Sequence, residues 1–328
     1  MENYTLPIEE TIALVRQFPT PEFMLRRFFP EIGLTGKTAT WTMYPNTRER
    51  AKYVPFNAAS DPQARRPMSH KAAQMAHIRL SKYIGAASKW NRRPGSNQTN
   101  EKWAVQDQIS DEMEELNRQI EYAKEVERAS VLFGGILTLA YADGSYDKVD
   151  YATSVSTHYR ALVSNWSYVG CDIIGDLQSA IHAVQVDGGF KPTAAIGYDG
   201  MINDFIRNTV LQNYMKESPD GIRALERGAW PRLMGMDIMT YDAGYTEGGT
   251  WKSFVPEGLV CLLGTSEQTG TVMLQGEADD LKAAGNPGRF SKSWETEDPS
   301  GIHVLIDDVS LPIIEVPTGV CVIDAYAV

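Results

Sequence analysis

The sequence contains few cysteines and no long apolar run, and both absences narrow the class of protein. Its three cysteines, Cys171, Cys261 and Cys321, lie far apart and form no CxxC pair. This pattern predicts buried thiols in a reducing compartment. The longest uncharged apolar stretch, residues 129–142, is shorter than the roughly 20 residues that a membrane-spanning helix needs. Because the first ten residues carry three acids and no signal-type sequence, secretion is not favoured either.

Signatures of catalysis and of cofactor binding are also missing. The sequence has no Walker-type phosphate loop, no GxGxxG, no HExxH and no GxSxG. Its five histidines show no metal-ligand spacing, and His182, near Asp176 and Asp187, is typical of a surface or packing residue. Asp307 and Asp308 adjoin on a predicted strand, so their side chains should point to opposite faces and cannot share one metal ion. We therefore predict no catalytic residue, no metal ligand and no cofactor.

Basic residues are scarce in most of the chain and concentrated at its start. Residues 1–100 hold 15 Lys and Arg against 7 Asp and Glu, a net of +8. The other 228 residues hold 16 against 35, a net of -19, and the total is -11. This asymmetry is typical of an arm that binds nucleic acid, or of a segment that lies on the acidic body of a neighbouring copy. Solvated charge without a partner is the third alternative.

The basic first third has its own predicted organisation. A short helix around residues 9–17 precedes the segment PEFMLRRFFPE, residues 21–31. That segment is either a surface helix with its apolar side chains turned inward, or an arm that buries them on another copy. Residues 37–93 then hold 12 basic residues and two acids. Here TATWTMY alternates at period two and RERAKYVPF could continue as a strand, which predicts a long two-stranded excursion with too little apolar material to fold alone.

Residues 102–132 contain neither proline nor glycine and predict one long helix. Apolar side chains recur along it at spacings of three and four: Val105, Ile109, Met113, Leu116, Ile120 and Ala123. Charged residues such as Glu121 and Lys124 could pair on its exposed side. Gly134 and Gly135 should end or kink the helix.

After residue 168 the pattern becomes α/β. A helix from Ile173 to Val184 and a short strand at residues 192–197 lead to a second helix, capped by Asp199 and continuing past Leu211. The Gly-rich stretch DAGYTEGG predicts a hairpin. The last 30 residues predict three short strands, IHVLID, SLPIIEV and GVCVIDAYAV.

The order of these parts resembles the major capsid proteins of tailed bacteriophages, which have the Hong Kong 97-type fold, and among them the lambda-like capsid E family. The blocks that carry the resemblance are FMLRRFFPE, RERAKYVPF, SFVPEGLVCLLG and WETEDPSGIHVLIDDVSLPIIEVP, in the family's order. The resemblance implies an α+β fold with an N-terminal arm, an extended E-loop hairpin, a peripheral domain with a long spine helix and an axial α/β domain. The implied segments are the arm at 1–36, the E-loop at 37–93, the peripheral domain at 94–167, the axial domain at 168–268 and a return to the peripheral domain at 269–328.

The resemblance also implies a function. The chain would be a structural major capsid protein that self-assembles into hexamers and pentamers of an icosahedral phage head enclosing double-stranded DNA. It would be part of the virion after assembly in the host cytoplasm. Expected partners are other copies of the chain, a separate scaffolding protein, a portal protein and packaged DNA contacted non-specifically, with a decoration protein as a further candidate.

Two basic segments are the candidate contacts between subunits. Leu25, Phe28 and Phe29 would pack on an adjacent subunit, while Arg26 and Arg27 would meet acidic surface or peptide carbonyls there. Replacing both phenylalanines with alanine would then leave a folded protein that assembles poorly. The E-loop would lie across the acidic peripheral domain of a neighbour, with rim charges that set register more than affinity. Its candidate contacts are Arg48, Arg50, Lys52, Tyr53, Arg65 and Arg66.

Three alternatives remain at this point. An encapsulin-like bacterial compartment would share the fold. A soluble α/β enzyme would be a monomer or small oligomer with a deep pocket and perturbed acids. A nucleic-acid-binding module would bind DNA through residues 37–93 with strong salt dependence.

Overall fold

The structure, a computed structural model, describes residues 5–19, 21–43, 50, 53, 56, 68–85, 101–141, 144–151, 159–161, 165–217, 232–283 and 285–326. The described helices are α1 Ile8–Gln17, α2 Glu101–Ala129, α3 Ile173–Ala183, α4 Met201–Arg207, α5 Thr209–Glu217 and α6 Ser266–Thr269. The described strands are β1 Glu31–Gly33, β2 Thr38–Met43, β3 Ser69–Gln74, β4 Ala76–Gly85, β5 Ile136–Ala140, β6 Tyr146–Asp150, β7 Tyr159–Ala161, β8 Ala194–Gly197, β9 Arg232–Leu233, β10 Met236–Thr240, β11 Gly244–Glu247, β12 Thr250–Ser253, β13 Leu259–Leu263, β14 Thr271–Gln275, β15 Phe290–Thr296, β16 Gly301–Ile314 and β17 Val320–Asp324. Among the helices described, none is both long and apolar enough to cross a bilayer.

The first sheet is built around β16, which is paired along both edges. β4 runs antiparallel to it on one side, while β15 and then β14 occupy the other side. β1 lies parallel to β14 at the margin of the sheet. The sequence predicted two short strands, IHVLID and SLPIIEV, where the structure has this single strand. Asp308 and Val309, the two residues between the predicted strands, are buried within the paired strand.

The long helix α2 packs across this first sheet. Its apolar stripe is buried against the inward-facing side chains of β16, with Val15 of α1 in the same cluster. The members from α2 and β16 are Val105, Ile109, Met113, Leu116, Ile120, Ile302, Val304 and Ile306. Its 29 residues span about 44 Å at about 1.5 Å per residue. One π-helical turn follows, and the helix ends at Gly135 with φ of 65°, as the two glycines predicted.

The second sheet forms the centre of the α/β part. Its strand order is β7–β17–β13–β8–β10–β9, with β8 parallel to β10 and antiparallel to β13. β8 is buried along its whole length, and the buried face of α3 belongs to the same hydrophobic cluster. The predicted helix from Ile173 and the predicted strand ending at Gly197 are therefore confirmed. The hairpin at DAGYTEGG is also confirmed, as the antiparallel pair β11–β12.

The second predicted helix of the α/β part is two helices. α4 starts after Gly200 without a side-chain cap, so Asp199 does not cap it. The break falls at Asn208, whose side-chain oxygen accepts hydrogen bonds from the N–H groups of Val210 (3.0 Å) and Leu211 (3.1 Å). Its side-chain NH2 donates to the Cys171 carbonyl at 2.8 Å. Asn208 thus caps α5 and ties it to the preceding loop.

The base of the basic excursion is a two-stranded sheet, as predicted. β2 pairs antiparallel with β3 from Thr38 to Met43. Trp41 and Met43 alternate inward, and the Trp41 ring stacks on Tyr151 with centroids 5.8 Å apart. The excursion therefore takes its apolar support from the main body. Most of RERAKYVPF lies outside the described residues.

Candidate inter-subunit surface and the charge network beneath it

The N-terminal segment is anchored to the rest of the same chain. Leu25 and Phe28 belong to a 3-10 turn, and both are buried in the main hydrophobic cluster together with Phe29. The Leu25 N–H donates to Glu125 Oε1 at 2.9 Å. Phe23 packs edge-on against Tyr122, with ring centroids 5.2 Å apart. The segment therefore contributes core packing within one subunit.

This arrangement revises the predicted role of the three apolar side chains. Leu25, Phe28 and Phe29 expose almost no surface, so in this conformation they have none to offer a neighbour. Their inward orientation matches the first alternative for the segment. Alanine at Phe28 or Phe29 would remove core packing, so the expectation of a folded but assembly-poor variant does not fit the structure.

The two arginines of the segment differ in their surroundings. Arg26 is partly exposed and lies 3.8 Å from Glu31 and 3.9 Å from Glu121. Arg27 is exposed, with its guanidinium 4.8 Å from the centre of the Phe28 ring. Arg27 is therefore exposed and can meet another surface.

A buried charge network joins α2 to the first sheet. The Asp308 carboxylate on β16 forms ion pairs with Lys124 Nζ of α2 at 3.1 Å and with Arg289 Nε at 3.0 Å. Arg289 also donates to Glu121 at 2.8 Å. The prediction that Glu121 and Lys124 pair on an exposed helix face is wrong, because both are buried and bind partners outside α2. Burial disfavours the Asp308 carboxylate, but the two cations outweigh it and lower its pKa to about 2.

The same network holds the N-terminal segment. Arg128 is fully buried and lies 3.0 Å from Glu125 and 3.6 Å from Glu31. Glu125 also accepts a hydrogen bond from the Tyr241 hydroxyl at 2.9 Å. These charges connect α2, β1, β16 and the end of β10, so the network fixes the relative position of the layers.

The Asp307 side chain lies on the face of β16 opposite to that of Asp308, as their adjacent positions on the strand predicted. Its carboxylate lies 2.8 Å from His77 and 3.7 Å from Arg79, both on β4. Burial raises the pKa of Asp307, and His77 and Arg79 oppose that shift. The two aspartates bind separate sets of partners.

Part of the basic excess in residues 37–93 is neutralised within the chain. Lys37 pairs with Asp279, and Lys82 on β4 lies 2.7 Å from Glu112 of α2. With the Asp307 contacts, these pairs attach the root of the excursion to its own acidic body.

The E-loop candidates are only partly within the described residues. The Arg50 guanidinium lies 5.3 Å from the centre of the Tyr53 ring. Tyr53 is 89% exposed and the neighbouring Phe56 is 102% exposed. Arg48, Lys52, Arg65 and Arg66 lie outside the described residues. Arg50 and Tyr53 therefore form an exposed pair of a cation and an aromatic ring, and Phe56 is exposed as well.

The cysteines and the possible metal ligands of the described residues show no arrangement typical of a reactive or metal-binding site. The three cysteines are buried, and burial raises the pKa of the Cys261 thiol. Within the described ranges no three His, Cys, Asp or Glu side chains are grouped so that they could hold a metal ion. His182 is exposed on α3.

Sequence reasoning missed the charge network although α2 carries a signal for it. Lys124 follows Ile120 by four residues and Glu127 follows Lys124 by three, so both continue the helical stripe that the apolar residues begin. Charged residues on such a stripe are buried and need partners. Arg289, distant in sequence, carries no comparable local signal.

Comparison with known proteins identifies a family. The family model described as Phage major capsid protein E matches residues 11–324. A search of curated protein sequences finds no significant match.

Solved structures share the fold at low sequence identity. The chain is 14% identical to a protein from a prophage of E. coli CFT073 that is described as its capsid protein, with a TM-score of 0.68 and coverage of 98% of this chain and 99% of that one. The capsid of cyanophage P-SCSP1u matches at 11% identity and a TM-score of 0.58, covering 94% and 89%. The mature capsid of bacteriophage PhiM1 matches at 10% identity and a TM-score of 0.55, covering 94% and 88%.

Proposed function

Because the chain belongs to the phage major capsid protein E family, we propose that its copies form the hexamers and pentamers of a closed icosahedral shell around double-stranded DNA. The family is one of structural proteins, so the chain is a structural capsid protein of the virion and not an enzyme. The match over residues 11–324 carries this proposal, since it spans nearly the whole chain.

The proposed roles of the segments follow the architecture. α2 and the five-stranded sheet around β16 serve as the peripheral domain with its spine helix. The axial domain corresponds to residues 168–268, because β14 at Thr271 already belongs to the first sheet. We extend the axial domain to β17, since this strand pairs with β13 from Val320 to Asp324. Residues 1–36 act as the N-terminal arm and residues 37–93 as the E-loop.

The proposed contacts between subunits use side chains that one subunit leaves exposed. Arg27 of the arm and Arg50 and Tyr53 of the E-loop meet the acidic body of a neighbour, together with Arg48, Lys52, Arg65 and Arg66. The charge distribution supports this proposal, since residues 1–100 carry +8 and the remainder carries -19. Opposite charges across an interface favour correct register and fast association.

The proposed partners beyond other copies are those of a phage head. A separate scaffolding protein guides assembly in the host cytoplasm, a portal protein occupies one vertex, and packaged DNA is contacted non-specifically. A decoration protein is a further proposed partner, and adding proteins from lysed phage heads to finished shells tests for its binding.

Size-exclusion chromatography with light scattering tests the proposal. The purified protein is measured with and without a co-expressed scaffolding protein, and the void fraction is imaged by negative stain. Closed shells or capsomer rings are expected. A monomer or dimer under every condition, scaffolding protein included, would remove the assembly proposal.

A further inference from the structure

An open groove runs along α2 on the side of the β11–β12 hairpin. Its walls are α2, β5, the hairpin and the start of β4, and its volume is about 940 Å³. We call it the α2 groove. Volumes of this order are typical of sites for small organic molecules. Because one subunit supplies all of these walls, a ligand there needs no second copy of the chain.

Three aromatic side chains border the α2 groove. Tyr122 comes from α2, Tyr245 from β11 and Trp251 from β12. The rings of Tyr122 and Tyr245 both stack on Phe254, with centroids 6.2 Å and 5.6 Å from it, which holds them in place. Trp251 is 61% exposed. The faces of Tyr and Trp rings attract organic cations, and Val126 between them offers apolar surface to a carbon stem.

A buried carboxyl lies in the same wall. Glu127 is 7% exposed, and its Oε2 atom has no hydrogen-bond partner among the described residues. The nearby cations are Lys124 and Arg128. Lys124 already pairs with Asp308 at 3.1 Å, and Arg128 with Glu125 at 3.0 Å. A buried polar atom without a partner is unfavourable, so a donor that enters the groove would be stabilised at Glu127.

The charge of the α2 groove favours a cation over an anion. Two other ionisable side chains that line it, His77 and Glu247, already have partners. His77 lies 2.8 Å from Asp307, and Glu247 pairs with Lys252. An anion would place a second negative charge beside the groove carboxyls, whereas an ammonium ion supplies both the charge and the donors that Glu127 lacks.

We propose that the α2 groove binds a small organic ammonium ion, with the ammonium group next to the Glu127 carboxylate. The carbon stem of the ligand lies against Tyr122, Tyr245 and Trp251. The chemical class is a primary amine on a short apolar or aromatic stem. This site goes beyond the proposed function, since binding requires neither a shell nor DNA.

Binding should release a proton. Burial raises the pKa of Glu127 to about 8, so near neutral pH this side chain is mainly the uncharged acid. The ionisable groups that face it are Lys124 and Arg128 on the same helix, Asp308 on β16 and Tyr151 after β6. An ammonium ion stabilises the carboxylate, so Glu127 gives its proton to solvent when the ligand binds. The affinity should therefore rise with pH until about pH 8, by up to about tenfold per pH unit.

Isothermal titration calorimetry of the purified subunit with phenethylamine tests the inference. The matched ligand is phenethyl alcohol, which has the same stem and no charge. The amine should bind about tenfold or more tightly than the alcohol near pH 8. Titrations in two buffers with different ionisation enthalpies should show release of about one proton near neutral pH for the amine and none for the alcohol. Equal affinities, binding of the amine without proton release, or no binding of the amine at any pH would overturn the inference.

Two variants assign the binding to the α2 groove. Glu127→Gln keeps the shape of the side chain, and it should weaken phenethylamine binding about tenfold or more and abolish its pH dependence. Circular dichroism checks that this variant is folded. Trp251→Ala should weaken binding about two- to fivefold, whereas Trp294→Ala on β15, outside the groove, should not. If Glu127→Gln does not fold, the two tryptophan variants decide, and equal affinities in both would overturn the site.

The outcomes are separate from those of the assembly experiment. A subunit that binds no amine but forms shells would remove the ligand site and leave the proposed function intact. A subunit that binds the amine but forms no shells would do the reverse.

Discussion

At the residue scale, α2 and β16 are joined by charges that have little or no access to water. Asp308, Lys124 and Arg289 lie between α2 and β16, where each charge is tolerable only because the others are present. Such a cluster contributes specific positioning more than net stability. Removing one member leaves its partners buried and unpaired.

Asp308→Asn should lower the free energy of unfolding by about 3 kcal/mol or more, because Lys124 and Arg289 lose their shared carboxylate. Urea unfolding of the isolated subunit measures this. The matched control is Asp237→Asn, whose partner Arg232 at 2.8 Å is on the surface, and it should cost less than about 1 kcal/mol. Equal effects would show that the buried cluster has no special role.

The pH dependence of stability should reveal Glu127. Burial raises its pKa to about 8 from an ordinary 4.5, so the folded chain keeps a proton that the unfolded chain releases. Its contribution to stability is complete below pH 4.5 and is lost as the pH rises through about 8. The difference in unfolding free energy between wild type and Glu127→Gln should therefore fall by about 1 kcal/mol per pH unit across this window. A difference independent of pH would contradict the buried position of this carboxyl.

At the scale of elements, the sequence predicted helices and strands well wherever the spacing of apolar residues within one segment was regular. The apolar stripe of α2 placed that helix within a few residues of its observed span, Glu101–Ala129. The alternation in TATWTMY placed β2, and the pair of glycines marked the end, at Gly135, of the π-helical turn that follows α2. Local patterns of this kind reflect which face of one element is buried.

The same reasoning failed where a long-range partner decides the outcome. Glu121 and Lys124 were predicted to pair on an exposed face of α2, but Arg289 and Asp308, both distant in sequence, bind them in the interior. For Leu25, Phe28 and Phe29 the sequence left two alternatives open, and the bond from Leu25 to Glu125 favours packing within their own chain. The spacing of apolar residues in the sequence shows that one face of an element is buried, but it does not show which other element buries it.

Asn208→Ala should destabilise the junction between α4 and α5. It removes the cap to Val210 and Leu211 and the bond to the Cys171 carbonyl. We expect a loss of about 1–2 kcal/mol from the cap alone, measured by thermal unfolding. Asn208→Asp keeps the capping oxygen and should recover part of the loss. If Asn208→Asp and Asn208→Ala are equally destabilised, the cap is not the cause.

At the scale of the whole molecule, the charge asymmetry acquires a structural meaning. Some of the basic charge of the first third is neutralised within the chain, through Lys37, Arg79 and Lys82. Arg27, Arg50 and the exposed rings remain available for a neighbour. Many copies of a weak contact of this kind can hold a shell together.

Arg50→Glu should reduce the yield of assembled particles while leaving unfolding of the isolated subunit unchanged, because the Arg50 and Tyr53 patch is exposed in one subunit. Light scattering during assembly measures the yield. Lys282→Glu, an exposed change of the same charge away from the patch, should assemble normally. Equal losses in both variants would point to net charge instead of a specific contact.

Cryo-electron microscopy of the protein purified after co-expression with its scaffolding protein tests the central claim most directly. We predict closed shells in which pentamers and hexamers share the described subunit fold, with residues 37–93 of each copy lying on a neighbour. Particles that never exceed a monomer or dimer, at any concentration and with the scaffolding protein present, would contradict the account.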